Sequence, residues 1–489
     1  MHGGNTHTNA RRRSVTRRDF VKAAGASGAA TALAGCTVGG TETGSGALQW
    51  ITDPTAADNA GKIRQALWDA GLSKDVYLDV IAKPSDTDAT QSQYTRWLSA
   101  DLADPDIMMM DSGWALNFIN KAQVLNLSEN LSGSTTDLIE NKYFQASVET
   151  ARGSDGDLYA APLFPDFPTM LYRKDLVKQA GYNPEQENWA TESMRWKKFS
   201  KVVADTKRQS DVNYGFNFQA NIYEGLSCCD FNEFMTSWGG AYFGGRDTLF
   251  GPIGERPVTV GDQPVVDAVK MIRSFIYGPD APNTLDGYEQ ISPNAVLSWT
   301  ENPSLNPFVN GNAVAVRNWP YAIATAGAEE ALGTEKLGVM PIPYGVTQEE
   351  SEYENIGGPV AALGGWHNAV NPNSDQMENA LAVIETMTKP SFQRAIVEIT
   401  GWLPPNREVF QSKKVKQIPI TGNYIEQLRI AGENAIPRPV TVVWPQESGK
   451  IAQLVHAGLS GDSTPKRAMN TLQEQLTAIE NFNSQSDGN

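Results

Sequence analysis

Four short stretches place tryptophan beside polar and chain-reversing residues: Asp111-Ser112-Gly113-Trp114, Arg317-Asn318-Trp319-Pro320-Tyr321, Gly364-Gly365-Trp366-His367 and Gly401-Trp402-Leu403-Pro404-Pro405-Asn406. With twelve tryptophans in the chain, flat aromatic surface is the chemistry in excess. An aromatic at the end of a core strand, next to a chain reversal, lines a cleft; any one of these indoles taken alone reads as ordinary core. Acids and a base accompany them. Asp111 follows the apolar run Ile107 to Met110, Asp166 sits in Phe164-Pro165-Asp166-Phe167-Pro168, and Arg438 stands between Pro437 and Pro439. Those prolines hold the backbone out of helix. A sugar offers an apolar C–H face on which rings stack, and hydroxyls that carboxylates and a guanidinium can bond in bidentate fashion. The plain alternative is that each charge is a surface charge.

The rest of the chemical inventory is sparse. Beyond the first 35 residues the histidines are His367 and His456, and no pair of ligands has zinc spacing. A Gly-x-Ser-x-Gly elbow, a phosphate loop and a strand-borne Gly-x-Gly-x-x-Gly are all absent from the sequence. A nucleophile–histidine mechanism therefore has little to work with, and no metal or cofactor is expected. An exported carbohydrase would need two carboxylates about 5–9.5 Å apart, a role open to Asp111 and Asp166. The formal charge of −16 repels nucleic acid and anionic headgroups.

The N-terminus reads as an address. Thr16-Arg17-Arg18-Asp19-Phe20-Val21-Lys22, the apolar run Ala23 to Leu33, and Leu33-Ala34-Gly35-Cys36 form a twin-arginine export signal ending in a lipoprotein-type cleavage site. The apolar run falls well short of the roughly 20 residues that span a bilayer. Cys36 is expected to become the lipid-bearing first residue after residues 1–35 are removed, with residues 36–47, rich in Gly, Thr and Ser, as a flexible tether. The other cysteines, Cys228 and Cys229, are adjacent and read mainly as buried small apolar residues; a vicinal disulfide is the alternative.

The elements that must position these residues alternate between strand and helix. Strands are expected at Leu48 to Ile51, Val76 to Val80 and Ile107 to Met110, with helices through Ala60–Ala70 and Tyr94–Leu102. Beyond residue 165 come a helix at 197–206, a strand at 214–218, a helix at 264–276, and strands at 313–316 and 337–340. Ser374 can cap a helix bearing Met377, Leu381, Ile384 and Met387, and Thr464-Pro465 opens the last one. The pattern is α/β, with a mature length that suits more than one lobe.

Ordered phrases carry a resemblance: Asp157-Leu158-Tyr159-Ala160-Ala161-Pro162, Leu171-Tyr172-Arg173-Lys174-Asp175-Leu176, Gly181-Tyr182, Trp189, Phe308-Val309-Asn310-Gly311-Asn312-Ala313 through Val316 to Trp319, Leu403-Pro404-Pro405-Asn406-Arg407 and Arg438-Pro439-Val440. In order and spacing the chain resembles the family 1 extracytoplasmic solute-binding proteins of sugar ABC importers, in the trehalose/maltose-binding branch. The resemblance implies a type II periplasmic-binding fold: two α/β lobes joined by crossing hinge strands, ligand in the cleft. It implies residues 48–163 and 318–366 in one lobe, and 164–317 and 367–489 in the other. By position, Asp58, Asp111 and Asp166 would accept hydroxyl protons. Trp319, Tyr321 and Trp366 would stack on or border the rings, with Gly365 beside them, and Arg438 would donate. Phe164 stands where relatives have tyrosine. The implied partners are a sugar, a two-lobed permease and the membrane through Cys36, with the protein a monomer outside the cell membrane. Glycerol phosphate, a polyamine or iron on the same fold are the rival solutes; one arginine suits a phosphate ester poorly.

Overall fold

The computed structural model describes residues 46–84 and 87–484. Its strands, in chain order, are β1 (Leu48–Thr52), β2 (Leu78–Ala82), β3 (Ile107–Asp111), β4 (Ala161–Asp166), β5 (Thr169–Arg173), β6 (Tyr214–Asn217), β7 (Ala313–Asn318), β8 (Leu337–Met340), β9 (Ala361–Ala362), β10 (Gly364–Val370) and β11 (Ala435–Ile436). Residues 1–35 and Cys36 lie outside the described residues. Among the described residues, no helix is long and apolar enough to cross a membrane.

The first sheet runs β2-β1-β3-β10-β4. β1 pairs in parallel with β2 and β3, while β10 runs antiparallel to both β3 and β4. Four strands therefore point the same way and finish on one edge. Met108, Met109 and Met110 are all fully buried, as expected for a strand covered on both faces. β4 lies at the sheet edge, which explains how a strand can carry Pro162 and Pro165 without breaking a ladder. Helices Ala60–Asp69, Met377–Met387 and Pro390–Thr400 bury Ile63, Leu67, Ile384 and Ile396 in its core.

The second sheet runs β6-β7-β5-β8, with β5 antiparallel to β7 and β8. Phe216, Val314 and Met340 join a core with Trp196, Phe275, Ile451 and Leu472 from long amphipathic helices. Leu171, Val316 and Leu337 join another with Phe410 and Leu428. The chain leaves the first sheet at Phe167-Pro168 and returns at Leu363, where β9 pairs with β11 to form a two-stranded bridge.

These pairings correct the expected partition. β8, expected with the first lobe, hydrogen-bonds to β5 in the second sheet. Residues 367–402, expected in the second, complete β10 and bury Ile384, Phe392 and Trp402 in the first core. The exit falls after Asp166 rather than at 163. Strands at 48, 107, 214, 313 and 337 form as expected, and so do helices Trp196–Arg208 and Gln263–Tyr277. The helix expected at 94–102 is instead Thr87–Leu98. Thr464 does cap, its hydroxyl accepting the Arg467 N–H at 3.3 Å. Ser374 does not: Gln376 takes the cap position, and the serine hydroxyl donates to Asp106 Oδ1 at 2.5 Å. Cys228 and Cys229 are buried, but joined to each other as a disulfide rather than free.

Candidate functional site

Each of the four co-directional strands ends in, or is followed at once by, a charged residue: Asp53 after β1, Lys83 after β2, Asp111 closing β3 and Asp166 closing β4. Ligands of open α/β sheets bind at this carboxyl edge, because the strands stop there while the loops diverge. β10 begins at the same edge, its Gly364 opposite Asp166 and its Trp366 opposite Asp111. Gly365 has φ +133°, and a Cβ there would come 2.7 Å from the Phe164 carbonyl oxygen. Only glycine lets β10 start this close to β4.

Asp111 is buried and accepts the Gly113 N–H at 2.7 Å. Arg438 Nη1 lies 3.0 Å from Asp111 Oδ1 and 2.8 Å from Glu224 Oε1. Glu224 also accepts the Trp444 indole N–H at 3.0 Å. The guanidinium lies against Gly113, where a Cβ would approach its central carbon to 2.6 Å. Burial pushes the Asp111 carboxyl up and Glu224 adds to this, against the opposing pull of Arg438. Burial disfavours the Arg438 charge, but Asp111 and Glu224 more than offset it. Arg438 Nε remains unpartnered within the protein.

Asp166 is half-buried. Burial, then repulsion from Asp53 and Asp111, push its carboxyl up to about 7, with Arg317 opposing. Trp319 leans over the Gly364–Asp166 rung: a Cβ on Gly364 would come 2.7 Å from Trp319 Cζ3. Tyr321 is half-buried, donates to Asn302 Oδ1 at 3.1 Å, and feels the Asp166 charge. Lys83 Nζ sits 4.3 Å above the Trp366 ring and occupies one of its faces. The edge therefore combines carboxylate acceptors, two cations and half-exposed aromatic surface, a set suited to holding a polyhydroxylated or cationic solute.

The structure thus brings Asp111, Asp166, Trp319, Tyr321, Gly365, Trp366 and Arg438 together. Asp58 is exposed at the end of helix Pro54–Asp58, and Asp53 is the acid whose charge reaches Asp166. Phe164 is core: its ring stacks on Trp402 at 4.6 Å. Among the loop tryptophans, Trp114 and Trp402 are likewise core, while Trp319 and Trp366 stay half-exposed. His367, bonded to Thr150 at 2.9 Å, is pushed down to about 3 by burial and stays neutral. Sequence reasoning missed Asp53, Lys83 and Glu224. Asp53 has the signal that identified Asp111, an acid closing an apolar strand; Glu224 has none.

Residues 73–422 match the family model of bacterial extracellular solute-binding proteins. A probable ABC transporter-binding protein of Deinococcus radiodurans is 29% identical over 407 residues, covering 82% of this chain and 86% of the relative. Maltose-bound MalE3 of T. maritima superposes with a TM-score of 0.72 at 23% identity, covering 88% of this chain and 99% of that one. UgpB of Mycobacterium tuberculosis, in complex with glycerophosphocholine, superposes with a TM-score of 0.67 at 17% identity, covering 89% and 98%. The fold is therefore the mixed α/β, type II periplasmic-binding architecture.

Proposed function

The chain belongs to the bacterial extracellular solute-binding proteins, and on that premise we propose that it captures a sugar for an ABC importer. The sugar is a disaccharide such as trehalose or maltose, or another oligosaccharide or a monosaccharide. The observation that carries this reading is the shared edge of β1, β2, β3 and β4, where Asp53, Asp111 and Asp166 meet the half-exposed rings of Trp319 and Trp366. The ABC assignment is supported by the Deinococcus relative, and the sugar by the maltose-bound T. maritima protein.

Capture proceeds by hinge closure about the β9–β11 bridge, with the ligand favouring the closed form only as far as it contacts both halves. Residues 48–166 and 364–402 form one lobe, and the second sheet with its helices forms the other. The closed complex docks on a permease as a monomer held to the outer membrane face through lipid on Cys36. We infer that the site binds without catalysing, a reading supported by the match to extracellular solute-binding proteins. A second reading, a solute with a cationic group such as glycerophosphocholine or a polyamine, is favoured by the acidic excess of Asp53, Asp111, Asp166 and Glu224 over Lys83 and Arg438.

Titrating the mature protein with trehalose, maltose, glucose, glycerophosphocholine and spermidine by calorimetry tests both readings. Saturable binding of one sugar, lost in Asp111→Ala and weakened in Trp319→Ala, is the expected result. Binding of the cationic solutes alone would replace the first reading with the second, and glucose release from either disaccharide would overturn a purely binding role.

A further inference from the structure

Arg317 lies in β7, two residues before Trp319, and is 1% exposed. Its Nε donates to Glu233 Oε2 at 2.7 Å and its Nη2 to Glu233 Oε1 at 2.8 Å, a bidentate pair. Its Nη1 donates to Gln219 Oε1 at 3.0 Å and lies 3.3 Å from Asp230 Oδ2. The guanidinium packs against the indole of Trp319, its central carbon 4.6 Å from the ring centroid. Glu233 Oε1 makes one further bond, accepting the Ala362 N–H at 2.8 Å.

Ala362 belongs to β9, which pairs with β11 where the chain crosses between the sheets. Two residues later comes Gly364, against which the Trp319 ring is seated. One buried carboxylate therefore holds the cation behind the aromatic wall and the backbone of the connecting strand at once. Asp230 also faces Arg317, but burial pushes its carboxyl up to about 8, so it does not by itself balance the buried cation near neutral pH. What Glu233 alone reaches is the Ala362 amide.

We propose that Glu233 is a positioning residue for solute capture, tying the Trp319 wall to the crossing strand β9 so that both move as one body. The proposal rests on the solute-capture reading above. A wall free to shift relative to the strand would meet the ligand in many orientations, and affinity falls with that lost preorganisation.

The test compares the mature protein with Glu233→Gln and Glu233→Asp. Glutamine keeps the size, but the NH2 that replaces Oε2 faces the Arg317 Nε–H and opens the bidentate pair that anchors the side chain against Ala362; aspartate keeps the charge but loses the reach to Ala362, and guards against a glutamine variant that does not fold. The readouts are the Kd for the solute the wild type binds, measured far below the melting temperature, amide exchange at Ala362, and acrylamide quenching of Trp319 as the difference from a matched Trp319→Phe protein. We expect Kd to weaken about tenfold, Ala362 to exchange at least tenfold faster, and Trp319 to become more quenchable. A merely structural role lowers the melting temperature and leaves all three unchanged, which would overturn the proposal. If the wild type binds none of the solutes, the capture reading fails separately, and unchanged exchange and quenching would still refute the coupling.

Discussion

Asp166 shows how an acid at this edge is tuned. Its carboxyl is raised to about 7 by burial and by the charges of Asp53 and Asp111, with Arg317 opposing. Between the ordinary carboxylate range and that value, the folded protein keeps a proton that the unfolded chain has released. The stability this contributes is complete below the unfolded pKa and is lost as pH rises through about 7. Melting temperatures should therefore fall between about pH 4 and 7 and level off above, and Asp166→Asn should flatten part of that slope; parallel slopes would refute the assignment. Arg438 makes the opposite case. Arg438→Ala leaves Asp111 and Glu224 facing one another unneutralised, and breaking such a buried pair costs about 3–5 kcal/mol. Denaturant unfolding should register a loss of that size, together with a loss of solute binding.

At the level of elements, two glycines set the approach of loop to strand. Gly365, the second residue of β10, has φ +133°, with the Phe164 carbonyl where a side chain would be. Gly365→Ala should cost of order 1–3 kcal/mol and shift Trp366, which follows it; an unchanged midpoint in urea would show that the strand start relaxes freely. Gly113 lies beneath Arg438, so Gly113→Ala should push the guanidinium away from Asp111 and Glu224 and lower both solute affinity and stability. Calorimetric titration beside a melting curve separates the two effects.

Across the whole molecule, the aromatic surface comes from both sheets: Trp319 follows β7 and Trp366 lies third in β10. Arg438 follows the crossing strand β11 and joins Asp111 of the first sheet to Glu224, which precedes the helical segment bearing the Cys228–Cys229 disulfide in the second half. A solute held by such residues draws the halves together. Small-angle scattering should therefore report a smaller radius of gyration at saturating ligand, and an unchanged profile would argue against hinge closure. Trp319→Ala and Trp366→Ala should each weaken binding by about 0.5–1.5 kcal/mol from lost stacking.

Much of this was legible in the order of residues. Apolar runs of strand length revealed β1 and β3 and placed Asp111 at the end of β3, because a strand covered on both faces must be apolar throughout. The same rule applied at Thr52-Asp53 would have found Asp53 in place of Asp58. Burial of individual rings was not legible: Trp114 and Trp402 share the local setting of Trp319 and Trp366, and it is packing on Tyr94 and Phe118 for the first and on Trp50 and Phe164 for the second that makes them core. Glu224, Glu233 and Ala362 lie far from their partners along the chain, with no periodicity linking them. The partition between sheets likewise depended on β8 pairing with β5 and β10 with β3, since hydrogen-bond partners across hundreds of residues are chosen by the assembled core and not by any local run.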